Sequence, residues 1–86
     1  MTELKKVLQE RGSRYGDFKG NSNITQRIKE AMKDGDGWDS LTRDKKEALE
    51  MTAHKIGRII NGDPEYKDSW VDIAGYITLV SETLTD

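Results

Sequence analysis

Four acidic side chains on two neighbouring stretches have the types and spacing that could do chemistry. Glu47 and Glu50 stand three apart in TRDKKEALEMTAHKIGRIIN. Asp68 and Asp72 stand four apart in EYKDSWVDIAGYITLVSETL, with Tyr76 one turn further on. Carboxylates drawn together suit Mg²⁺, which takes oxygen ligands in near-octahedral geometry and keeps several waters. Such an ion would neutralise a polyphosphate and lower the pKa of a water for in-line attack. Lys55 and Arg58 are then placed to take phosphate oxygens, the arginine in a bidentate manner. The opposed reading makes all of these residues the wet faces of two helices in a small bundle.

Each reading has its own support. On a helical wheel with Glu47 at the origin, Glu50, Met51, His54 and Arg58 fall within about 60° of it, opposite Ile56. In a lone chain that side is expected to face water, and Glu50–His54 and His54–Arg58 have the i,i+4 spacing of solvated pairs. His54 is the one histidine, which leaves a histidine metal site or a Ser-His-Asp triad unsupported. In the last helix Asp68, Asp72, Gly75, Tyr76 and Leu79 form a second stripe beside Trp70. Tyrosine, leucine and an interior glycine are poor choices for a fully wet face. Gly75 costs about 1 kcal/mol against alanine and permits close approach of another backbone or a ligand. His54, Trp70, Gly75 and Tyr76 are therefore the expected lining of a pocket or interface. The structural alternatives are an N-cap role for Asp68 and an ion pair of Asp72 with Lys55 or Arg58.

The elements that must hold these residues read as four helices. Thr2 caps a short one over 1–12, with Leu4, Val7 and Leu8 as a narrow apolar stripe and Gly12 as its stop. Only docking would hold so short a helix, which leaves it free to swing onto a partner. Asp17 caps a second helix over 17–34, where Phe18, Asn21, Thr25, Ile28 and Met32 recur at helical spacing. After Gly35-Asp36-Gly37, Trp38 and Leu41 fold back as a plug. Thr42 caps a third helix over 42–61, with Ala48, Leu49, Thr52, Ile56, Ile59 and Ile60 on one side and Gly62 ending it. Asp63-Pro64-Glu65 then opens a fourth helix over 64–84, with Pro64 at the first position. There Trp70, Ile73, Ile77, Val80 and Leu84 read as a core stripe. No alternating run predicts a strand. The expected fold is all-α, one domain over 1–86, an irregular four-helix bundle.

Composition bounds the rest. With 86 residues, 35% charged and 34% hydrophobic, the chain buries a smaller share of its surface than a large one. Assembly would supply the missing burial, so a homo-oligomer is expected. The absence of cysteine removes disulfides and thiolate metal sites, leaving hard cations on oxygen ligands. Residues 1–62 hold 13 basic and 10 acidic side chains, whereas 63–86 hold 1 and 6. An acidic last helix is unsuited to lying on nucleic acid. No apolar run is long enough to span a bilayer and no signal peptide is visible, which predicts a cytoplasmic protein without a membrane partner.

RYGDF at 14–18, ALEMTAHKIGRIINGDP at 48–64 and DSWVDIAGY at 68–76 resemble a family of small uncharacterised proteins of tailed phages and prophages. More distantly, the layout is similar to the MazG-like all-α nucleoside triphosphate pyrophosphohydrolases, which carry E-x-x-E on one helix and E-x-x-D on the next, bind Mg²⁺ and work as dimers or tetramers. Glu47 and Glu50 match the first motif. Asp72 and the trailing Tyr76 match the end of the second, but Ser69 stands where an acid is required and Asp68 would have to substitute. The resemblance implies a phage accessory protein in the host cytoplasm that binds a nucleotide, with Mg²⁺ on Glu47, Glu50, Asp68 and Asp72 if it hydrolyses one. The alternative is a non-enzymatic phage protein that binds a host or defence protein, or sequesters a signalling nucleotide.

Overall fold

The computed structural model describes residues 2–85. Four α-helices occupy them, α1 (Thr2–Tyr15), α2 (Phe18–Lys33), α3 (Arg43–Asn61) and α4 (Lys67–Ser81), with a 3₁₀ turn at Trp38–Ser40. No strand occurs among the described residues, so the fold is the expected all-α bundle. α3 is its axis: α4 packs along one side, α2 along another, and α1 touches α3 and α2 only near its end.

Three helix boundaries differ from the sequence expectation, one of them the end of α4, at Ser81 instead of 84. α1 runs through Gly12 to Tyr15, since a glycine weakens a helix by only about 1 kcal/mol and the true stop is Gly16, at φ 76°. That left-handed conformation favours a residue without Cβ. α4 begins at Lys67 rather than at Pro64. The Asp63 carboxylate accepts the Glu65 N–H at 2.9 Å and the Tyr66 N–H bonds the Asp63 carbonyl at 3.2 Å, so residues 63–66 close into a turn before the helix starts. Asp17 caps α2 as expected, its side chain accepting the Gly20 N–H at 3.1 Å.

The core is small and made of small residues. Ala48, Ala53 and Ile59 are its buried apolar members, joined by buried Asn21, Thr25, Gly57 and Ser69. α2 and α3 cross where Gly57 meets Thr25 and Asn21. A Cβ there would lie 2.3 Å from Thr25 Oγ1 and 2.8 Å from Asn21 Oδ1.

The apolar stripe expected to fill the core from α4 does so only at Ile73 and Val80. Trp70, Ile77 and Leu84 are exposed, and α4 turns Ser69, Asp72, Ile73, Tyr76 and Val80 inward instead. On that inward side the Lys55 ammonium holds the Asp72 carboxylate at 2.9 Å. Leu49 and Ile60 of α3, and Phe18 of α2, likewise face outward.

Candidate functional site

The corner where α1 meets α2 is tied to the end of α3. Asn61 Nδ2 donates to the carbonyls of Tyr15 and Asp17, each at 2.9 Å, and the Asp63 N–H bonds the Arg14 carbonyl at 2.6 Å. The RYGDF stretch and the NGDP stretch are thus two halves of one joint. Around it cations and tyrosines alternate. The Arg58 guanidinium lies 4.2 Å from the Tyr15 ring centroid. Tyr15 meets Tyr66 edge-on with centroids 6.1 Å apart. The Arg14 guanidinium lies 4.5 Å over Tyr66 and donates to its hydroxyl at 2.7 Å. Cations gain from aromatic faces by the ring quadrupole, so the stack fixes two arginines with little freedom left to lose.

Beside this joint opens a cleft of about 570 Å³ between α1, α2 and α3. Arg11 comes from α1, Lys29 from α2, and His54 and Arg58 from α3. Tyr15 and Phe18 supply aromatic walls, and Asn21, Ser22, Thr25 and Gln26 supply amides and hydroxyls. Asp17 is the one carboxylate among the lining residues, and its oxygen is already engaged by the α2 N-terminus. Arg58 Nε is buried and has no hydrogen-bond partner among the described residues. A buried donor on a charged group is costly to leave unmatched. His54 is held below its ordinary pKa, first by burial and then by the positive charges of Arg58, Lys55 and Lys29. The site as a whole repels a proton and would welcome an anion.

The Glu47–Arg58 stripe of α3 is not the open face that the helical wheel implies. α2 lies across it, so Glu50, His54 and Arg58 are half-buried while Glu47 stays exposed. The four carboxylates do not gather. Glu50 lies 3.8 Å from Lys33 of α2, Asp72 is held by Lys55, and Asp68 accepts the Tyr66 hydroxyl at 3.0 Å. Among the described residues no group of three or more His, Asp or Glu side chains could hold a metal ion. Within one chain the four are separate contacts and do not form a ligand set for Mg²⁺.

Of the two basic residues expected on phosphate, Arg58 lines the cleft. Lys55, three residues earlier, faces α4, where it is 12% exposed and paired. Of the four expected pocket residues, His54 lines the cleft and Trp70, Gly75 and Tyr76 do not. Trp70 Nε1 donates to the Pro64 carbonyl at 2.8 Å, and Tyr76 is half-buried on α4. Sequence reasoning missed Arg11, Tyr15 and Lys29. The signal for Lys29 was present: Asn21, Thr25, Lys29 and Lys33 recur every four residues and so share one face of α2.

The fold and site define a small all-α protein with a cationic, tyrosine-walled cleft beside its first interhelical corner. The chain belongs to the family described as a domain of unknown function (DUF6378), which matches residues 1–84. Comparison with curated proteins and with solved structures gave no match. No helix among the described residues is long and apolar enough to cross a membrane.

Proposed function

We propose that the protein binds a nucleotide in the cleft between α1, α2 and α3, and that it acts by capture rather than by hydrolysis. The observation that carries this reading is Arg58. It is stacked on Tyr15, its Nε is buried and unmatched, and Arg11, Lys29 and His54 share the cavity with it. Three cations against one engaged carboxylate favour a phosphate, and an arginine offers two parallel donors to it. Phe18, 83% exposed at the rim, leaves a ring face free for a base, and the amides of Asn21 and Gln26 suit base edges. On this reading the protein is a phage or prophage accessory factor distantly related to the MazG-like enzymes. Capture is favoured over hydrolysis because none of Glu47, Glu50, Asp68 or Asp72 lines the cleft.

The test is a binding panel. Nucleoside mono-, di- and triphosphates and cyclic nucleotides are titrated by calorimetry and thermal shift, with and without Mg²⁺, and pyrophosphate release is followed in parallel. The expected result is saturable binding that needs no Mg²⁺ and yields no pyrophosphate. Pyrophosphate release would restore the hydrolytic assignment. If no nucleotide moves the melting temperature, the reading is abandoned in favour of a host or defence protein as the partner.

A further inference from the structure

Beyond Asp72, α4 has no charged face. Between Asp72 and Glu82 it carries no charged residue, yet only one flank meets α3. The other flank leaves Trp70 55%, Val71 51% and Leu79 65% exposed, with Ile77 and Leu84 at its edge. A helix that is apolar all round belongs inside a larger core. The middle of this flank is built of Ala74, Gly75 and Thr78, all exposed, and nothing lies within 4 Å of the position a Gly75 Cβ would take. Small residues there leave the backbone open to another helix. Alongside runs a groove of about 270 Å³ walled by Leu41, Leu49, Ile77, Val80 and Leu84.

The exposed area, to which α1 also contributes, is enough for a second copy of the chain. The chain exposes 6553 Å², whereas a compact monomer of its 9.8 kDa mass exposes about 5200 Å². The excess of roughly 1400 Å² is more than the ~800 Å² that each partner gives up in a standard interface. The radius of gyration agrees, at 14.9 Å against about 12 Å for a compact domain of this length.

We propose that α4 is the interface of a two-fold homodimer, its two copies crossing antiparallel at Ala74–Gly75. A two-fold contact uses the same patch on both sides, and this patch is self-complementary. Crossing there sets Trp70 and Val71 of one copy against Leu79 and Thr78 of the other. It also brings Lys67 at one end of the helix alongside Glu82 at the other end of its mate, so the ends match in charge. The α3–α4 pairs of the two copies then form one four-helix core. No α4 residue lines the cationic cleft, so the inference stands apart from the nucleotide reading.

The experiment uses the full chain and its lack of cysteine. Sedimentation equilibrium is expected to give twice the 9.8 kDa chain mass at micromolar concentration, and Leu79→Glu to weaken association at least 10-fold. Ala74→Cys is expected to form an intermolecular disulfide at least 10-fold faster than Gly37→Cys, a control in open surroundings. A monomer at every concentration overturns the proposal. So does an oligomer in which Ala74→Cys cross-links no faster than the control. If Leu79→Glu fails to fold, the two cysteine rates decide alone.

Discussion

Replacing Gly57 by alanine tests how closely α2 and α3 approach. In an isolated helix the change would stabilise by about 1 kcal/mol. Here the new methyl would sit 2.3 Å from Thr25 Oγ1, 2.8 Å from Asn21 Oδ1 and 3.2 Å from the Asn21 carbonyl. Thr25 is 4% exposed and Asn21 7%, and a β-branched residue in a helix has few other rotamers to retreat to. Moving them breaks the 3.3 Å bond from Thr25 Oγ1 to Asn21 Oδ1, leaving buried polar atoms at a cost of about 1–3 kcal/mol. Overpacking adds about 1–3 kcal/mol more. Against the propensity gain, the net loss is about 2 kcal/mol, which for a domain of this size lowers the melting temperature by roughly 10 °C. Thermal and urea unfolding followed by circular dichroism would measure it. The comparison variant is Gly12→Ala, inside α1 with nothing within 4 Å, which should be neutral or stabilising. A Gly57→Ala protein as stable as the parent would mean that α2 and α3 do not touch as described, and the cleft between them would lose its floor.

Three further outcomes are expected. Arg58→Ala should weaken nucleotide binding by about 10–100-fold, the worth of a charge-assisted hydrogen bond, and Arg58→Lys should recover only part, having charge but neither Nε nor the flat stack on Tyr15; calorimetry on both decides. His54, with its pKa depressed by burial and by Arg58, Lys55 and Lys29, takes up its proton more readily in the unfolded chain. Its contribution to stability is therefore present above about pH 6.5 and lost as pH falls through that value, a slope that His54→Gln should flatten in urea melts. A bound phosphate reverses the penalty, so nucleotide binding near pH 6 should take up protons, read as a dependence of the calorimetric heat on buffer. Asn61→Ala should cost about 1–3 kcal/mol by leaving the Tyr15 and Asp17 carbonyls without their donor, and should weaken nucleotide binding because Tyr15 then loses its seat.

Much of the fold is legible in the chain because helices announce themselves by period and punctuation. Asp17 and Gly62 mark boundaries that the structure keeps, whereas Gly12 does not stop α1. Which side of a helix is covered is a different kind of fact. The wheel that groups Glu47, Glu50, His54 and Arg58 is right, but only the course of α2 decides that His54 and Arg58 are roofed over while Glu47 is wet. On α4 the period itself misleads. Apolar residues occur all round the helix, so Trp70-Ile73-Ile77-Val80-Leu84 and Ser69-Ile73-Tyr76-Val80 are both plausible inward stripes. The structure has the second, with Asp72 paired to Lys55 of α3, a contact between helices that no period shows. The cleft was hidden for a similar reason. Tyr15 and Arg58 are 43 positions apart, and nothing local to either tells of the other.

Asn61 grips carbonyls 46 and 44 residues earlier in the chain. Closing so long a span costs entropy that a single helix never meets, and it is recovered only once α2 has found α3. The corner therefore closes only when both ends of the chain segment are in place, and the arginine–tyrosine stack needs the same residues. During synthesis, which delivers the N-terminal end first, α1 and α2 emerge well before the residue that joins them to α3. A nascent chain then carries every cleft residue of its first two helices and yet has no cavity, so the cleft belongs to the finished molecule alone.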